Sequence, residues 1–147
     1  MSRNWKNIPL PEVHLTFLVI GLALHFIKPI PILRTALIGK ILAFPLIGTG
    51  LFIAGWAVRE VRHMDIQSPS KVVTSGPYGF SRHPMYLGWT SLILGIAFLA
   101  NTFWLILFLP IVVAITHYFV ILNEENYMER KYIQEYLRYH TKIRRYL

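Results

Sequence analysis

The sequence predicts an all-α integral membrane protein with about four transmembrane helices, two of them forming a helical hairpin, and a C-terminal amphipathic helix. Of its 147 residues, 54% are hydrophobic and only 15% are charged, a balance that suits lipid better than a water-facing core. The apolar residues fall into four runs, and a polar tail follows the last one. No repeat or linker divides the chain, so we expect residues 1–147 to form a single domain.

The first two apolar runs differ in length and composition. The first, from about Val13 to Ile27, stops where Pro29 and Pro31 remove helix donors. At about 1.5 Å per residue it covers roughly 22 Å, less than a hydrocarbon core of about 30 Å. Either flanking residues must lengthen the helix, or the bilayer around it must be thinner. The second, from about Ile41 to Val58, contains Pro45 and the glycines Gly48, Gly50 and Gly55. Such small residues favour close helix contact.

The last two apolar runs are joined tightly. The third begins near Met85 and ends by Asn101, and the fourth runs from Phe103 to Leu122. Because only Asn101 and Thr102 separate them, they should form an antiparallel hairpin. The polar tail from Asn123 to Leu147 carries tyrosines near helical spacing, which predicts an interfacial amphipathic helix. These tyrosines, interpreted as an interfacial belt, are Tyr127, Tyr132, Tyr136 and Tyr139.

The distribution of basic residues predicts the orientation. With four spans, the N-terminus, the loop from Arg59 to Arg82 and the tail share one side, which holds twelve of the 15 lysines and arginines. That side should be cytoplasmic, with both termini on it. The net charge of +8 then favours anionic membrane lipids over nucleic acid as partner, with Lys142, Arg144 and Arg145 as a headgroup anchor. The absence of cysteine excludes disulfides and thiolate metal sites, and no metal site is predicted.

A polar segment between the second and third runs is the best candidate for a site of chemistry. Residues 74–89 read Thr-Ser-Gly-Pro-Tyr-Gly-Phe-Ser-Arg-His-Pro-Met-Tyr-Leu-Gly-Trp. The hairpin leaves this membrane face and returns to it, which brings Glu124 and Glu125 back beside Arg82 and His83. Two carboxylates at the end of an apolar helix are costly unless they meet water, a partner or a ligand. A ligand with hydroxyls and a cationic centre would satisfy them.

These two motifs resemble those of the isoprenylcysteine carboxyl methyltransferase and phospholipid methyltransferase superfamily. The family pattern is Arg-His-Pro-x-Tyr-x-Gly, then a hydrophobic hairpin, then a Glu-Glu pair; here the first motif spans residues 82–88 and the pair is Glu124-Glu125. The resemblance covers about Lys71 to Tyr139. It implies S-adenosylmethionine as methyl donor, a lipid-like acceptor, N-terminal helices at 1–70 and a cofactor-binding core at 71–147.

The resemblance also implies roles for individual residues. Those implied to enclose the cofactor are Lys71, Val72, Val73, Tyr78, His83, Pro84, Met85 and Tyr86, with Glu124 binding it from the other side. Arg82 and Glu125 are implied to be catalytic. His83 or Arg82 can donate to the methionine carboxylate, and Glu124 can accept from ribose hydroxyls. The glycines Gly76, Gly79 and Gly88 would permit a close backbone approach.

One departure leaves the acceptor open. Family members that act on prenylated cysteine carboxylates carry an arginine about one helical turn before the Glu pair, where this chain has residues 118–121, Tyr-Phe-Val-Ile. His117 is the nearest polar side chain, and Arg130 or Arg59 could substitute from elsewhere. His14 and His25, three helical turns apart, are interpreted as interfacial rather than catalytic. Two alternatives to a methyltransferase are an NADPH-dependent membrane reductase of the sterol-reductase type and a non-catalytic membrane scaffold.

Overall fold

Six α-helices build the described part of the chain, which comprises residues 11–64 and 69–146 of the computed structural model. They are α1 (Glu12–Ile27), α2 (Ala36–Val61), α3 (Pro84–Leu99), α4 (Phe103–Ile115), α5 (Leu122–Lys131) and α6 (Ile133–Lys142). A 3-10 turn occupies Gly76–Gly79, and a π-helical turn, Thr116–Ile121, joins α4 to α5. The basic residues Arg3 and Lys6, used to predict the orientation, lie outside the described residues.

Helices α2 and α3 are packed backbone to backbone. A Cβ on Gly50 would lie 2.7 Å from the carbonyl oxygen of Gly88, and one on Gly88 would lie 2.7 Å from the backbone nitrogen of Ala54. Of the glycines in the second apolar run, Gly50 therefore brings the two helices together as predicted. Gly48 and Gly55 do not, since a Cβ on either would have no atom within 4 Å. The close backbone approach expected at Gly88 is made by α2, whose Gly50 and Ala54 fill the space beside it.

The predicted hairpin of α3 and α4 is confirmed, and Asn101 explains its turn. This residue has φ of 50°, a left-handed conformation that asparagine tolerates better than most side chains. Its Oδ1 accepts hydrogen bonds from the backbone nitrogens of Ile32 (3.0 Å) and Leu33 (2.9 Å), and its Nδ2 donates to the Leu33 carbonyl at 2.9 Å. The turn is thus fixed to the connection between α1 and α2.

A buried apolar cluster lies between the hairpin and α1. Ile93, Ala97 and Leu105 are at most 2% exposed, and Leu18 and Leu22 of α1 pack against them. Gly21 faces the same cluster, where a Cβ would overlap a methyl carbon of Leu105. This packing fixes α1 beside α4 and places the start of α1 near the start of α3.

The expected boundary between the fourth span and the tail helix is wrong. Helix continues without interruption from Phe103 to Lys131, through the π-helical turn, and the first break comes at Tyr132. Residues 111–147 contain no proline or glycine, so the change from apolar to polar side chains at Asn123 does not end the helix. The predicted single amphipathic tail helix is therefore divided into α5, an extension of the hairpin, and α6.

Two of the described helices are long and apolar enough to cross a membrane. They are Ala36–Val61, with 26 residues, and Phe103–Lys131, with 29, whereas α1 and α3 have 16 residues each. Large apolar side chains project from the helix surfaces, as expected where lipid surrounds them. Those at least 64% exposed include Phe26, Ile27, Leu37, Phe44, Phe52 and Phe119. Four spans with cytoplasmic termini remain a prediction.

Candidate active site

The Gly-Pro-Tyr-Gly segment forms a tight turn against α2. Gly76 has φ of 59°, and a Cβ there would lie 3.0 Å from Nε1 of Trp56 and 3.1 Å from Oε2 of Glu60. Both the backbone conformation and the space require glycine. Ser75 donates a hydrogen bond to Glu60, so the turn is held on α2. The following residues are thereby directed toward the start of α3.

Arg82 and His83 are buried where this loop enters α3. Pro84 occupies the first position of the helix, where its missing N–H costs nothing. The Arg82 backbone nitrogen donates to the carbonyl of Arg144 at 3.0 Å, and the Ser81 hydroxyl donates to that of Arg145 at 3.1 Å. We call residues 143–146, which cross the loop here, the strap. These two hydrogen bonds attach the strap to the loop next to both side chains.

Glu125 is the centre of an ionic cluster. It is 5% exposed, and its Oε1 lies 3.0 Å from Nε2 of His83 and 3.1 Å from Nη1 of Arg82. Arg145 binds both oxygens, with Nε 3.0 Å from Oε1 and Nη2 2.7 Å from Oε2. A buried carboxylate requires such partners. The same hydrogen bonds to Glu125 raise the pKa of Arg145 above its ordinary value.

Glu124 is in a different environment from its neighbour. Its side chain is 45% exposed, and Oε1 accepts a hydrogen bond from the Tyr86 hydroxyl at 2.8 Å while Oε2 lies 3.5 Å from Nδ1 of His83. The imidazole of His83 therefore bridges the two carboxylates. Burial alone would lower the pKa of His83, but hydrogen bonds to and the charges of Glu124 and Glu125 raise it above its ordinary value.

These residues border a cavity of about 470 Å³ between the loop, the end of α2 and helices α5 and α6. Eight of the nine predicted cofactor-binding residues line it: Lys71, Val72, Val73, Tyr78, His83, Met85, Tyr86 and Glu124. Arg82 and Glu125 line it too. Pro84 is buried at the start of α3 and is not part of the lining. The volume is within the range of about 300 to 1,000 Å³ typical of small-ligand pockets.

The interpretation of the tail tyrosines as an interfacial belt is wrong for two of them. Tyr136 and Tyr139 are 3% and 7% exposed, pack on Val72 and line the cavity. The Tyr139 hydroxyl donates to the Tyr78 carbonyl at 2.7 Å, and burial raises the pKa of Tyr139. These contacts follow from the break at Tyr132, which turns α6 back onto the loop. The helical spacing of the two tyrosines predicts that they share one face of the helix, but it does not predict which residues that face contacts.

Arg145 is a further site residue that sequence reasoning missed. The sequence predicts that it forms a headgroup anchor with Lys142 and Arg144, but the structure places its guanidinium on Glu125. Lys142 and Arg144 are exposed, as an anchor requires. A run of basic residues at a membrane surface gives no signal that one member turns inward. Only the backbone pairing of the strap with the loop explains it.

Three side chains were candidates to replace the arginine that binds a substrate carboxylate in related proteins: His117, Arg59 and Arg130. None of them lines the cavity. His117 instead hydrogen-bonds the Tyr146 hydroxyl through Nδ1. Arg59 and Arg130 are exposed, and neither lines the cavity. His14 is 1% exposed, and its Nε2 lies 3.2 Å from the Thr90 hydroxyl; its interfacial depth remains a prediction.

Comparison with known proteins gives one match. The model of the phospholipid methyltransferase family matches residues 36–135 of the chain, a stretch that contains α2, the loop, the hairpin, α5 and the first turn of α6. No curated protein and no solved structure gives a significant match.

Proposed function

Because the chain belongs to the phospholipid methyltransferase family, we propose that it transfers a methyl group from S-adenosylmethionine to a hydrophobic, lipid-like acceptor. Family membership implies methyltransferase activity, and the two long apolar helices agree with a membrane protein. The methyl donor and the kind of acceptor are the proposed part. The observation that supports them most directly is the 470 Å³ cavity in which the loop motif and Glu124 face each other.

The chemistry of the cavity suits S-adenosylmethionine. Glu124 keeps an accessible carboxylate that can accept hydrogen bonds from ribose hydroxyls. Tyr78 and Tyr86 offer ring faces to adenine or to a sulfonium, and Lys71 offers a cation for the methionine carboxylate. The buried Nε of Arg82 has no hydrogen-bond partner among the described residues, which leaves one further donor at the cavity wall.

In this proposal, Arg82 and Glu125 position other groups. Glu125 already binds His83, Arg82 and Arg145, so little of its accepting capacity remains for a ligand. The cluster instead fixes His83 between the two carboxylates and attaches the strap to the loop. When bound, S-adenosylmethionine supplies an electrophilic methyl group on a sulfonium. The residues around it exclude water and hold the reactants in line, and such alignment contributes roughly 7 to 11 kcal/mol in well-oriented reactions.

Equilibrium binding of S-adenosylhomocysteine to the protein in lipid nanodiscs tests this function. We expect binding by the wild type and at least about tenfold weaker binding by Glu124→Gln, since that change removes a charge-assisted hydrogen bond worth about 1.5 to 3 kcal/mol. Glu135→Gln, an exposed site on α6, is the matched control and should bind as the wild type does. Binding of NADPH in place of S-adenosylhomocysteine would favour the reductase, and binding of neither would favour the scaffold.

A further inference from the structure

A second, smaller cavity of about 170 Å³ shares one wall with the first. The shared side chain is Tyr86, which lines both. The other lining residues come from α1, α3, α4, the π-helical turn and the strap: His14, Leu87, Thr90, Val113, Thr116, Ile121 and Tyr146. The volume has room for a headgroup of a few atoms, and it is well below the roughly 300 Å³ at which pockets for whole drug-sized ligands begin.

Two buried polar atoms of this cavity have no hydrogen-bond partner among the described residues. His14 is 1% exposed; its Nε2 lies 3.2 Å from the Thr90 hydroxyl, while its Nδ1 has no hydrogen-bond partner among the described residues. Thr116 is 3% exposed, and its hydroxyl also has no hydrogen-bond partner among the described residues. Each such group costs about 1 to 3 kcal/mol. Two of them around one cavity indicate a ligand that supplies the missing bonds.

The helix distortion beside the cavity supports this interpretation. Thr116 and Ile121 are the first and last residues of the π-helical turn, and both line the cavity. A π-helical turn is rare in proteins and occurs frequently at functional sites. Here it replaces a regular turn of the continuous helix at the level where His14 of α1 and Thr90 of α3 also line the cavity.

The charge of the cavity limits what it can bind. The residues that line it include no lysine, arginine, aspartate or glutamate. A carboxylate or an ammonium would therefore be buried there without a counter-charge, at a cost of several kcal/mol. An imidazole, two threonine hydroxyls and two phenols are instead suited to an uncharged group that both donates and accepts hydrogen bonds.

On the basis of the proposed function, we propose that this cavity receives the reacting headgroup of the acceptor, an uncharged amine or hydroxyl, and that His14 takes its proton. With Nε2–H donating to Thr90, Nδ1 of His14 carries a lone pair that faces no donor among the described residues. The Thr116 hydroxyl holds the headgroup. Tyr86, whose ring centroid is 6.2 Å from that of His14, lines both cavities, so the headgroup meets the methyl donor beside this ring and not across it. The apolar body of the acceptor stays in the bilayer.

The reaction balances in atoms and charge. The acceptor nitrogen or oxygen uses a lone pair to bond the methyl carbon, the carbon–sulfur bond breaks, and its electron pair stays on sulfur. The N–H or O–H bond breaks, and the proton goes to Nδ1 of His14. One positive charge is thus lost from the sulfonium and one appears transiently on the imidazole, so the net charge around the two cavities does not change. A carboxylate acceptor would need no base, so His14 would have no catalytic task with it.

Methyl transfer from isotopically labelled S-adenosylmethionine to dodecylamine, dodecanol and dodecanoate, with protein in nanodiscs, tests this proposal. We expect product from the amine or the alcohol and none from the carboxylate. His14→Gln should lower kcat by about 100-fold or more, as loss of a general base does, while S-adenosylhomocysteine binding stays at the wild-type level. Added imidazole should restore part of the rate to His14→Ala. The matched control is His25→Gln on the same helix, outside both cavities, and it should retain the wild-type rate.

Thr116→Val separates a binding role from a structural one. Replacing an unpartnered buried hydroxyl with a methyl group should leave stability unchanged or raise it, yet the KM for the acceptor should rise with little change in kcat. A His14→Gln protein that keeps the full rate, or a preference for dodecanoate, would overturn the inference and leave the proposed function intact. A wild type that binds no S-adenosylhomocysteine would overturn both.

Discussion

The two ends of the hairpin formed by α3 and α4 are stabilised in different ways. At the turn, Asn101 makes three neutral hydrogen bonds to the backbone of residues 32 and 33. At the opposite end, Glu125 is surrounded by His83, Arg82 and Arg145. One end uses a single uncharged side chain to join two loops, whereas the other concentrates ionised groups beside a cavity.

This difference indicates how structure and binding are divided within the molecule. Holding two helices together needs no buried charge, as the turn end demonstrates. The ionic cluster carries a desolvation cost that apolar packing would avoid, so its presence requires a further reason. The adjacent cavity provides one, because a polar ligand needs side chains already fixed in position. Three changes to the chain test this contrast.

Removal of the central carboxylate should have the largest effect. Glu125→Gln leaves the buried Arg82 and the partly buried Arg145 without their counter-charge, and loss of one partner from such a cluster costs about 3 kcal/mol or more. Thermal unfolding of the detergent-solubilised protein measures this loss as a lower midpoint. Glu135→Gln should leave the midpoint unchanged. Equal midpoints for the two variants would mean that the cluster stabilises nothing.

Disruption of the turn should cost less and leave binding intact. Asn101→Ala removes three hydrogen bonds and places an ordinary side chain at positive φ, at a cost of about 2 kcal/mol. Asn101→Gly retains the backbone freedom and should recover about half of that loss. Both variants should bind S-adenosylhomocysteine like the wild type once folded. Weaker binding would show that the two ends do not act separately.

The smallest expected effect concerns pH. Because the pKa of His83 is raised in the folded protein, its contribution to stability is complete below its ordinary pKa of about 6.5 and is lost as the pH rises through the raised value. The unfolding midpoint should therefore fall over that range. The fall should be smaller in His83→Gln, whereas Asn101→Gly should keep the wild-type slope. Identical slopes in all three proteins would contradict the shift.

The apolar helices were predictable because hydrophobic runs and prolines determine where helices can form. The first run was placed within one residue of α1, and the hairpin turn was placed correctly. The end of the fourth helix was not placed correctly. A change from apolar to polar side chains does not stop a helix, and the backbone continues as helix from Ile121 into α5. Such helix boundaries depend on contacts between residues that are distant in the sequence, and the local sequence does not reveal those contacts.

The site was predictable to the extent that its residues form motifs. Sequence placed Arg82, His83 and the Glu pair at one membrane face, and the structure brings them into contact. Arg145 and Tyr136 were missed because their positions depend on the break at Tyr132 and on the strap. Each belongs to a segment whose composition suggested a membrane surface. Burial there comes from tertiary contacts that no periodicity reveals.

Tyr86 belongs to the walls of both cavities, with its hydroxyl on Glu124 and its ring between those of His83 and His14. A ligand that shifts this ring alters the space open to a second one. In the proposed reaction, occupancy of the two sites is therefore linked, and any factor by which S-adenosylmethionine changes affinity for the acceptor must equal the factor by which the acceptor changes affinity for S-adenosylmethionine. Neither dissociation constant is then a property of one pocket alone.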